Sequence, residues 1–244
     1  GDALTGASGS VFIGYDAGGT VTLGSYNIAI GYDAMNGGTV TTGAYNIAMG
    51  VSAGDALTVG SQNILLGWGA GGTSTSVSKA VFIGTVAGGD GNVTSAADGT
   101  IAIGHAALSK LTSGERNIAI GYQSTEDLTD GDDNIMIGYQ AGLNANSSGF
   151  LRNVGVGNYV FDGFGSTVTA ADNTAIGHLA LSGVLTSDAD GNTAVGKDAL
   201  KVLTEGYSNV AVGVSAADAM TDGHDNVAIG LGALGASTSV GMCV

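Results

Sequence analysis

Proline is absent from this chain of 244 residues, and cysteine occurs once, at Cys243. Because proline cannot donate a hydrogen bond to a β-ladder, its absence suits a sheet that continues from one repeat to the next. A single cysteine excludes an internal disulfide. Lysine and arginine total 6 residues against 21 aspartates and glutamates, which gives a net charge of −15. Since nucleic-acid binding depends on basic side chains that displace counterions, nucleic acid is not expected as a partner.

Long apolar runs are missing as well. No segment approaches the length of about 20 apolar residues that crosses a bilayer, so we expect no membrane insertion. The first residues also lack the basic and apolar regions of a secretion signal. Any export signal is therefore expected outside residues 1–244.

Glycine is abundant, at 45 residues, and much of it belongs to a repeated unit of the type Asn-Ile-Ala-Ile-Gly. A unit of this size has too little apolar surface to fold alone, so neighbouring units must stack on one another. Intervals between successive copies are 17 to 20 residues, and the thirteen copies end at Gly14, Gly31, Gly50, Gly67, Gly84, Gly104, Gly121, Gly138, Gly157, Gly177, Gly196, Gly213 and Gly230.

Each unit is predicted to form one coil. The β-branched residues of the Ile-Ala-Ile core alternate with period two, which favours a strand. Pairs such as Ala107-Leu108 start a second short segment, predicted as a second strand, from which a leucine points inward. All extra residues fall between this segment and the next asparagine, where a loop tolerates them. The sequence predicts an all-β parallel β-solenoid, of the β-roll or β-helix type, with about thirteen coils of 17–20 residues in one domain spanning residues 1–244.

Both faces of the strand carry apolar residues. Ile118 and Ile120 point one way, and Ala119 between them points the other. A strand covered on both sides is apolar throughout. We interpret one face as the interior of the coil and the other, an outer row of alanines, as the surface that meets a partner chain. The alternative is a thin single-chain roll with small alanines outside; Leu65 and Phe82 in the same row count against it, since they would form an exposed apolar patch.

Asparagine precedes the repeat glycine by four residues in ten units. A corner asparagine can adopt a left-handed conformation, and stacked copies can hydrogen-bond to one another as a ladder. We favour this structural role over ligand binding by a row of amides, because the position follows the period of the fold. The predicted ladder consists of Asn27, Asn46, Asn63, Asn117, Asn134, Asn153, Asn173, Asn192, Asn209 and Asn226.

The units over 173–181 and 192–200 read Asn-Thr-Ala-Ile/Val-Gly followed by Ala-Leu. They resemble the repeat regions of bacteriophage tail fibres and the head repeats of trimeric autotransporter adhesins. The resemblance covers nearly the whole chain. It implies a homotrimer of parallel β-rolls on a virion or cell surface, with a role in attachment to a host or surface. Residues 1–244 are then expected to be a segment of a longer fibre. End-to-end polymerisation into an extracellular filament is the alternative.

An aromatic column follows the repeat glycines and could stack on the sugar rings of a cell-surface glycan or receptor. The competing interpretation, which we favour, is a ladder of rings stacked between coils that stabilises the fold. His105 and His178 share the column and are interpreted as surface members of it. The candidate glycan-contact residues are Tyr15, Tyr32, Trp68, Tyr122 and Tyr139.

Two other patterns, a nucleophile-elbow match and a threonine column, suggest activities that we consider secondary. Gly50-Val51-Ser52-Ala53-Gly54 matches the nucleophile elbow of serine hydrolases. It occupies the same slot as Gly31-Tyr32-Asp33 one unit earlier, so the sequence predicts no enzyme. A threonine column suggests ice binding as a minor alternative, although only one threonine occurs per coil. The column consists of Thr41, Thr58, Thr112, Thr129, Thr204 and Thr221.

Acidic turns suggest calcium as a minority hypothesis, because hard cations need several carboxylate oxygens. The nonapeptide spacing of calcium-binding β-rolls is missing, and no cofactor is expected. We interpret most of these turns as solvated corners that prevent sideways association. They lie at 88–92, 130–134, 188–192 and 222–226.

Overall fold

The computed structural model describes residues 4–37, 41–146, 148–163, 169–185, 189–239 and 241–242. It is a parallel β-solenoid of about twelve turns, built from coils of about 17 residues. Cys243 and Asp188, which figure in the sequence analysis, lie outside the described residues. The chain divides into two compact units, residues 1–117 and 118–244.

In the first unit, the three residues before each repeat glycine form a strand. Successive strands pair in parallel and in chain order. A short 3-10 helix, Ser95–Ala97, lies between the last two strands. The strands are β1 (Val11–Ile13), β2 (Ile28–Ile30), β3 (Ile47–Met49), β4 (Ile64–Leu66), β5 (Val81–Ile83) and β6 (Ile101–Ile103).

The second unit repeats this arrangement and adds a second, two-stranded pairing. Its main strands are parallel and hydrogen-bonded in chain order, and β9 pairs separately with β11. The strands are β7 (Ile118–Ile120), β8 (Ile135–Ile137), β9 (Phe150–Leu151), β10 (Val154–Val156), β11 (Ala170–Ala171), β12 (Thr174–Ile176), β13 (Thr193–Val195), β14 (Val210–Val212) and β15 (Val227–Ile229). In the described part of the chain, no helix is long and apolar enough to cross a membrane.

The repeat glycine allows the coils to approach each other closely. A Cβ built on Gly67 would lie 2.5 Å from the carbonyl oxygen of Gly84 in the next coil, and the φ of Gly67 is +133°. Both the contact and the backbone conformation exclude other residues, because only glycine has no Cβ. The glycine thus ends each strand at a place where two backbones almost touch.

The two faces of the strands are the reverse of what we predicted. The middle residue, such as Ala29, Leu65 or Phe82, is fully buried inside the coil. The flanking residues point outward; most of them are half-buried, and some, such as Ile13 in the first strand and Ile229 in the last, are exposed. The prediction that the alanines form an outer row is therefore wrong. The alanines line the interior of the coil.

The predicted second strand of each coil is also wrong. The Ala-Leu segments form turns in which the backbone alternates between ordinary and left-handed conformations, with φ values of +54° at Ala106 and +49° at Leu108. Leu108 and Leu200 both adopt a left-handed conformation here and are fully buried. We had expected the leucine two to five places after each Ala-Leu pair to point inward, and this is confirmed, because Leu111 and Leu203 are fully buried. The leucines of the pairs are buried as well, since closing a coil of about 17 residues needs tight turns rather than a second straight edge.

Candidate functional site

The asparagines form a hydrogen-bonded column inside each unit. The backbone and side-chain nitrogens of Asn46 both donate to Oδ1 of Asn27, at 2.9 and 3.2 Å, and Nδ2 also donates to the carbonyl of Gly60. The backbone nitrogen of Asn63 donates in turn to Oδ1 of Asn46 at 3.0 Å. The same pattern links the asparagines from Asn134 to Asn226 in the second unit.

All ten asparagines are buried. Their amides therefore do not offer a row of binding groups to a ligand outside the coil. A buried amide without partners would destabilise the fold, but here Oδ1 accepts bonds from the next coil and Nδ2 donates two, so the column replaces water completely.

We had predicted a left-handed conformation at the asparagine, and this is wrong. The left-handed conformation falls on the residue before the asparagine. Tyr26, Tyr45 and Gln62 have φ values of +60°, +60° and +64°. The asparagine directly precedes the strand, does not have a positive φ, and has a buried side chain. We call these preceding residues the corner column.

A second column of side-chain acceptors was missed by the sequence analysis. The backbone nitrogen of Ser61 donates to Oγ of Ser78 at 3.1 Å, and that of Ser78 donates to Oδ1 of Asp98 at 2.7 Å. In the second unit the nitrogen of Ala171 donates to Oδ1 of Asp190 in the same way. The recurrence of serine two residues before the ladder position was the available signal.

The candidate glycan-contact aromatics lie on the outer side of the coils and are exposed. Tyr15 stacks on Tyr32 with ring centroids 5.3 Å apart, and Tyr122 stacks on Tyr139 at 5.4 Å. The structure does not bring Trp68 together with these pairs, since the neighbouring coils have Val51 and Thr85 at its position. The residues thus form two stacked pairs and a separate indole rather than one continuous stripe.

The outward face of the strands forms an apolar surface in each unit. It contains the first and third residue of each strand and the residue after the glycine, because alternate side chains share a face. In the first unit these positions hold no Asp, Glu, Lys or Arg, and in the second they hold one, Lys197. Ile13 and Ile229 are 57% and 70% exposed. We call this surface the outward strand face.

The charge of Lys197 is turned away from this face. Its Nζ lies 3.0 Å from Oδ2 of Asp198, and Lys201 contacts the other oxygen at 3.1 Å. Burial alone would raise the pKa of Asp198, but the bonds from both lysines bring it below its ordinary value. The carboxylate is thereby kept ionised and holds both ammonium groups.

The threonine column is used by the fold itself. Oγ1 of Thr58 donates to the carbonyl of Thr75 at 3.0 Å, and Oγ1 of Thr204 donates to that of Thr221 at 2.8 Å. Thr41 does not belong to the column, because it is buried and pairs with the core residue Val21. Hydroxyls committed to carbonyls of the next coil do not match an ice surface, which weighs against the ice-binding alternative.

Three aspartates outside the four acidic turns have pKa values shifted from the ordinary one. Burial raises the pKa of Asp162, while burial and then the charge of Asp33 raise the pKa of Asp55. The hydrogen bond from Arg152 lowers the pKa of Asp172. No group of three or more His, Cys, Asp or Glu side chains suited to a metal occurs among the described residues.

Ser52, the serine of the Gly-x-Ser-x-Gly match, lies in the turn that follows β3. Its φ is +54°, similar to +53° at Asp33 one coil earlier, and its nitrogen donates to the carbonyl of Tyr32. The serine thus takes the conformation that this turn imposes on every coil. This is a repeat turn and not the strand-to-helix turn that exposes a nucleophile.

The described residues of each unit therefore offer an outward strand face, which includes the aromatic column, together with several polar corners. No family model, curated protein or solved structure matches this chain.

Proposed function

We propose that this chain is a repeat segment of an extracellular or virion-surface fibre, of the tail-fibre or adhesin type, in which three copies associate through the outward strand face. The observation that carries the proposal is that face, where most positions are apolar and Lys197 is the one Asp, Glu, Lys or Arg residue; Thr174 and Thr193 are polar positions within it. Its role is mechanical rather than catalytic. The hydrogen bonds between successive strands and the stacked core residues hold a stiff segment that displays or spaces an attachment site.

The area of the face supports association between copies. Strands about 4.8 Å apart, with three outward side chains over about 17 Å of chain, give about 500 Å² in the first unit and about 600 Å² in the second. A stable protein interface takes about 800 Å² from each partner, so neither unit's face is large enough alone and the interface has to draw on the faces of both units. Apolar patches of this extent on a monomer indicate an interaction surface.

A second copy of this chain is the partner that fits the outward strand face best. The strands of each unit repeat at one spacing and in one register, so a chain with the same repeat can pack its outward side chains into the gaps along the whole length. The net charge of −15 is placed at the turns rather than on this face. A threefold arrangement is what the resemblance to tail fibres and trimeric adhesins implies.

Association through this face has a consequence for the aromatic column. Tyr32 and Tyr139 share the outward side with Ile30 and Ile137, so in the assembly their rings would lie at the interface. They would then stabilise it, since aromatic side chains bury large areas. A glycan would have to be bound elsewhere.

Sedimentation of the purified chain tests the assembly. We expect a mass about three times the 23.6 kDa of one chain. Met49→Lys combined with Val156→Lys should give the monomer, because each places a charge in the face, where the native side chains are 42% and 37% exposed. Val59→Lys combined with Val184→Lys is the matched control, since these valines are exposed but lie outside the face.

A monomeric native chain, or an assembly that survives the face variant, would contradict the proposal. Electron microscopy of the intact assembly adds a second test by counting copies around the axis. Open filaments that grow by end-to-end contact would support the alternative of a self-polymerising subunit instead.

A further inference from the structure

The corner column contains a gap in the second unit. Most coils place an outward side chain at this position, including Arg152, Asp172, Ser208 and Asp225. Gly191 leaves the position between Asp172 and Ser208 empty. A Cβ built on Gly191 would have only Oγ of Ser208 within 4 Å, at 3.9 Å. The glycine therefore opens a space one side chain wide.

This space is a surface notch of about 390 Å³, lined by Asp172, Asp190, Gly191, Tyr207 and Ser208, and we call it the Gly191 notch. Its volume lies in the range of small-molecule sites, which is about 300–1,000 Å³. All five residues are in the described part of the second unit, so the notch is formed by one unit alone.

The carboxylates of the notch are held in place. Asp172 accepts two bonds from Arg152, at 2.7 and 2.8 Å, and Asp190 accepts a bond from the nitrogen of Ala171 at 2.6 Å. The nitrogen of Ser208 donates to the carbonyl of Asp190 at 2.9 Å. Each carboxylate oxygen can accept more than one bond, so both groups keep acceptor capacity toward the notch.

An aromatic ring stands beside these acceptors. Tyr207 stacks on His224 with ring centroids 5.0 Å apart and planes inclined by 4°, and it is 41% exposed. The stack with His224 fixes the orientation of the ring. A flat apolar surface next to fixed acceptors is the arrangement that binds a sugar, whose CH face packs on the ring while its hydroxyls donate to carboxylates.

We propose that the Gly191 notch binds one uncharged sugar unit of a glycan. An anionic sugar is disfavoured by Asp172 and Asp190, and a cationic ligand would compete with Arg152. This inference gives the proposed fibre its attachment site. It is tested separately from the assembly, since glycan binding and sedimentation are independent readouts.

The test uses the full chain on a printed array of glycans that end in galactose, glucose or N-acetylglucosamine, together with their sialylated counterparts. We expect binding to uncharged termini and weaker binding when sialic acid is added. Gly191→Asn should reduce binding at least tenfold, because asparagine tolerates a positive φ and fills the notch. Tyr207→Ser should reduce it about tenfold through loss of ring stacking.

Gly99→Asn is the matched control, since Gly99 occupies the same corner position in the first unit, with φ +78°. It should bind as the native chain does. Tyr207→Ser is expected to fold, because serine occupies this position in other coils, as at Ser61 and Ser78. A loss of binding in this variant therefore reflects the missing ring. Circular dichroism melting checks that all variants fold.

Three results with the native chain and the notch variants would overturn the inference, and a fourth concerns the control. The first three are no binding to any uncharged glycan on the array, a preference for sialylated glycans, and equal binding by the native chain and by folded Gly191→Asn or Tyr207→Ser. An equal loss in Gly99→Asn would also overturn it, since the effect would then come from the corner conformation and not from the notch.

Discussion

The ring of Phe82 occupies the space that a side chain at Gly88 would need. A Cβ built on Gly88 would lie 2.7 Å from Cδ2 and Cε2 of that ring. The turn position lies six residues after the mid-strand position in every coil. A large side chain at one is accompanied by a small one at the other, as in the buried pairs Ala102 with Leu108 and Ala194 with Leu200. Both residues are small in other coils, as at Ala48 with Gly54 and at Ala211 with Ala217. The narrow interior of a coil holds one large side chain from the pair, not two.

This relationship predicts a strong coupling between the two positions. Phe82→Ala should cost about 3–5 kcal/mol of unfolding free energy because it leaves a cavity. Gly88→Leu alone should also destabilise the fold, through overpacking. The double variant should recover most of the loss, since Leu108 adopts φ +49° at the equivalent position. Urea unfolding of the three variants measures the coupling, and additive losses would contradict it.

The asparagine column predicts a large effect of a single amide. Asn46→Ala should lower the unfolding free energy by about 3 kcal/mol or more, because it leaves the nitrogen of Asn63 and the carbonyl of Gly60 buried without partners. Asn46→Ser should be intermediate, since Ser10 accepts a bond from the nitrogen of Asn27 at the same position. Asn92→Ala, at a corner, is the control, and an equal loss there would count against the ladder as a stabilising element.

Asp55 predicts a pH-dependent change in stability. Burial, and then the charge of Asp33, raise its folded-state pKa above the ordinary 3.8. The folded state therefore binds more protons than the unfolded state above pH 3.8, and stability falls as pH rises through the raised pKa. Asp55→Asn should raise the melting temperature at pH 7 and leave it unchanged well below pH 3.8.

Asp33→Asn is the comparison for this test. It should give a smaller gain at pH 7, because it removes only the repulsion and leaves Asp55 partly buried. A lower melting temperature of Asp55→Asn at pH 7 would show that the carboxylate stabilises the fold.

The acidic turns predict no dependence on calcium. The described residues contain no group of three candidate ligands, whereas calcium takes six to eight oxygens. We expect the melting temperature to be the same in EDTA and in excess calcium. A decrease on chelation would revive the calcium hypothesis, and the loss of that decrease in Asp132→Asn or Asp222→Asn would locate the site.

The sequence predicted the strands well, because a motif repeated thirteen times marks the same three residues in each coil, as at Ile118–Ile120. It also indicated the inward leucines. The candidate site was harder to predict. The notch depends on the missing side chain of Gly191 and on Asp172 one coil earlier, and only the register of stacked coils makes these residues neighbours.

The sequence alone determined the period, the strand positions and the parallel stacking, since a short repeat can bury its apolar residues only against copies of itself. Only the tertiary structure decided which face is inside. Ile28, Ala29 and Ile30 are all apolar, so alternation could not distinguish the faces. Inside the coil the mid-strand residue shares a narrow space with the turn residue six positions later, as Ala29 does with the buried Met35, so a large turn residue leaves room only for a small mid-strand residue.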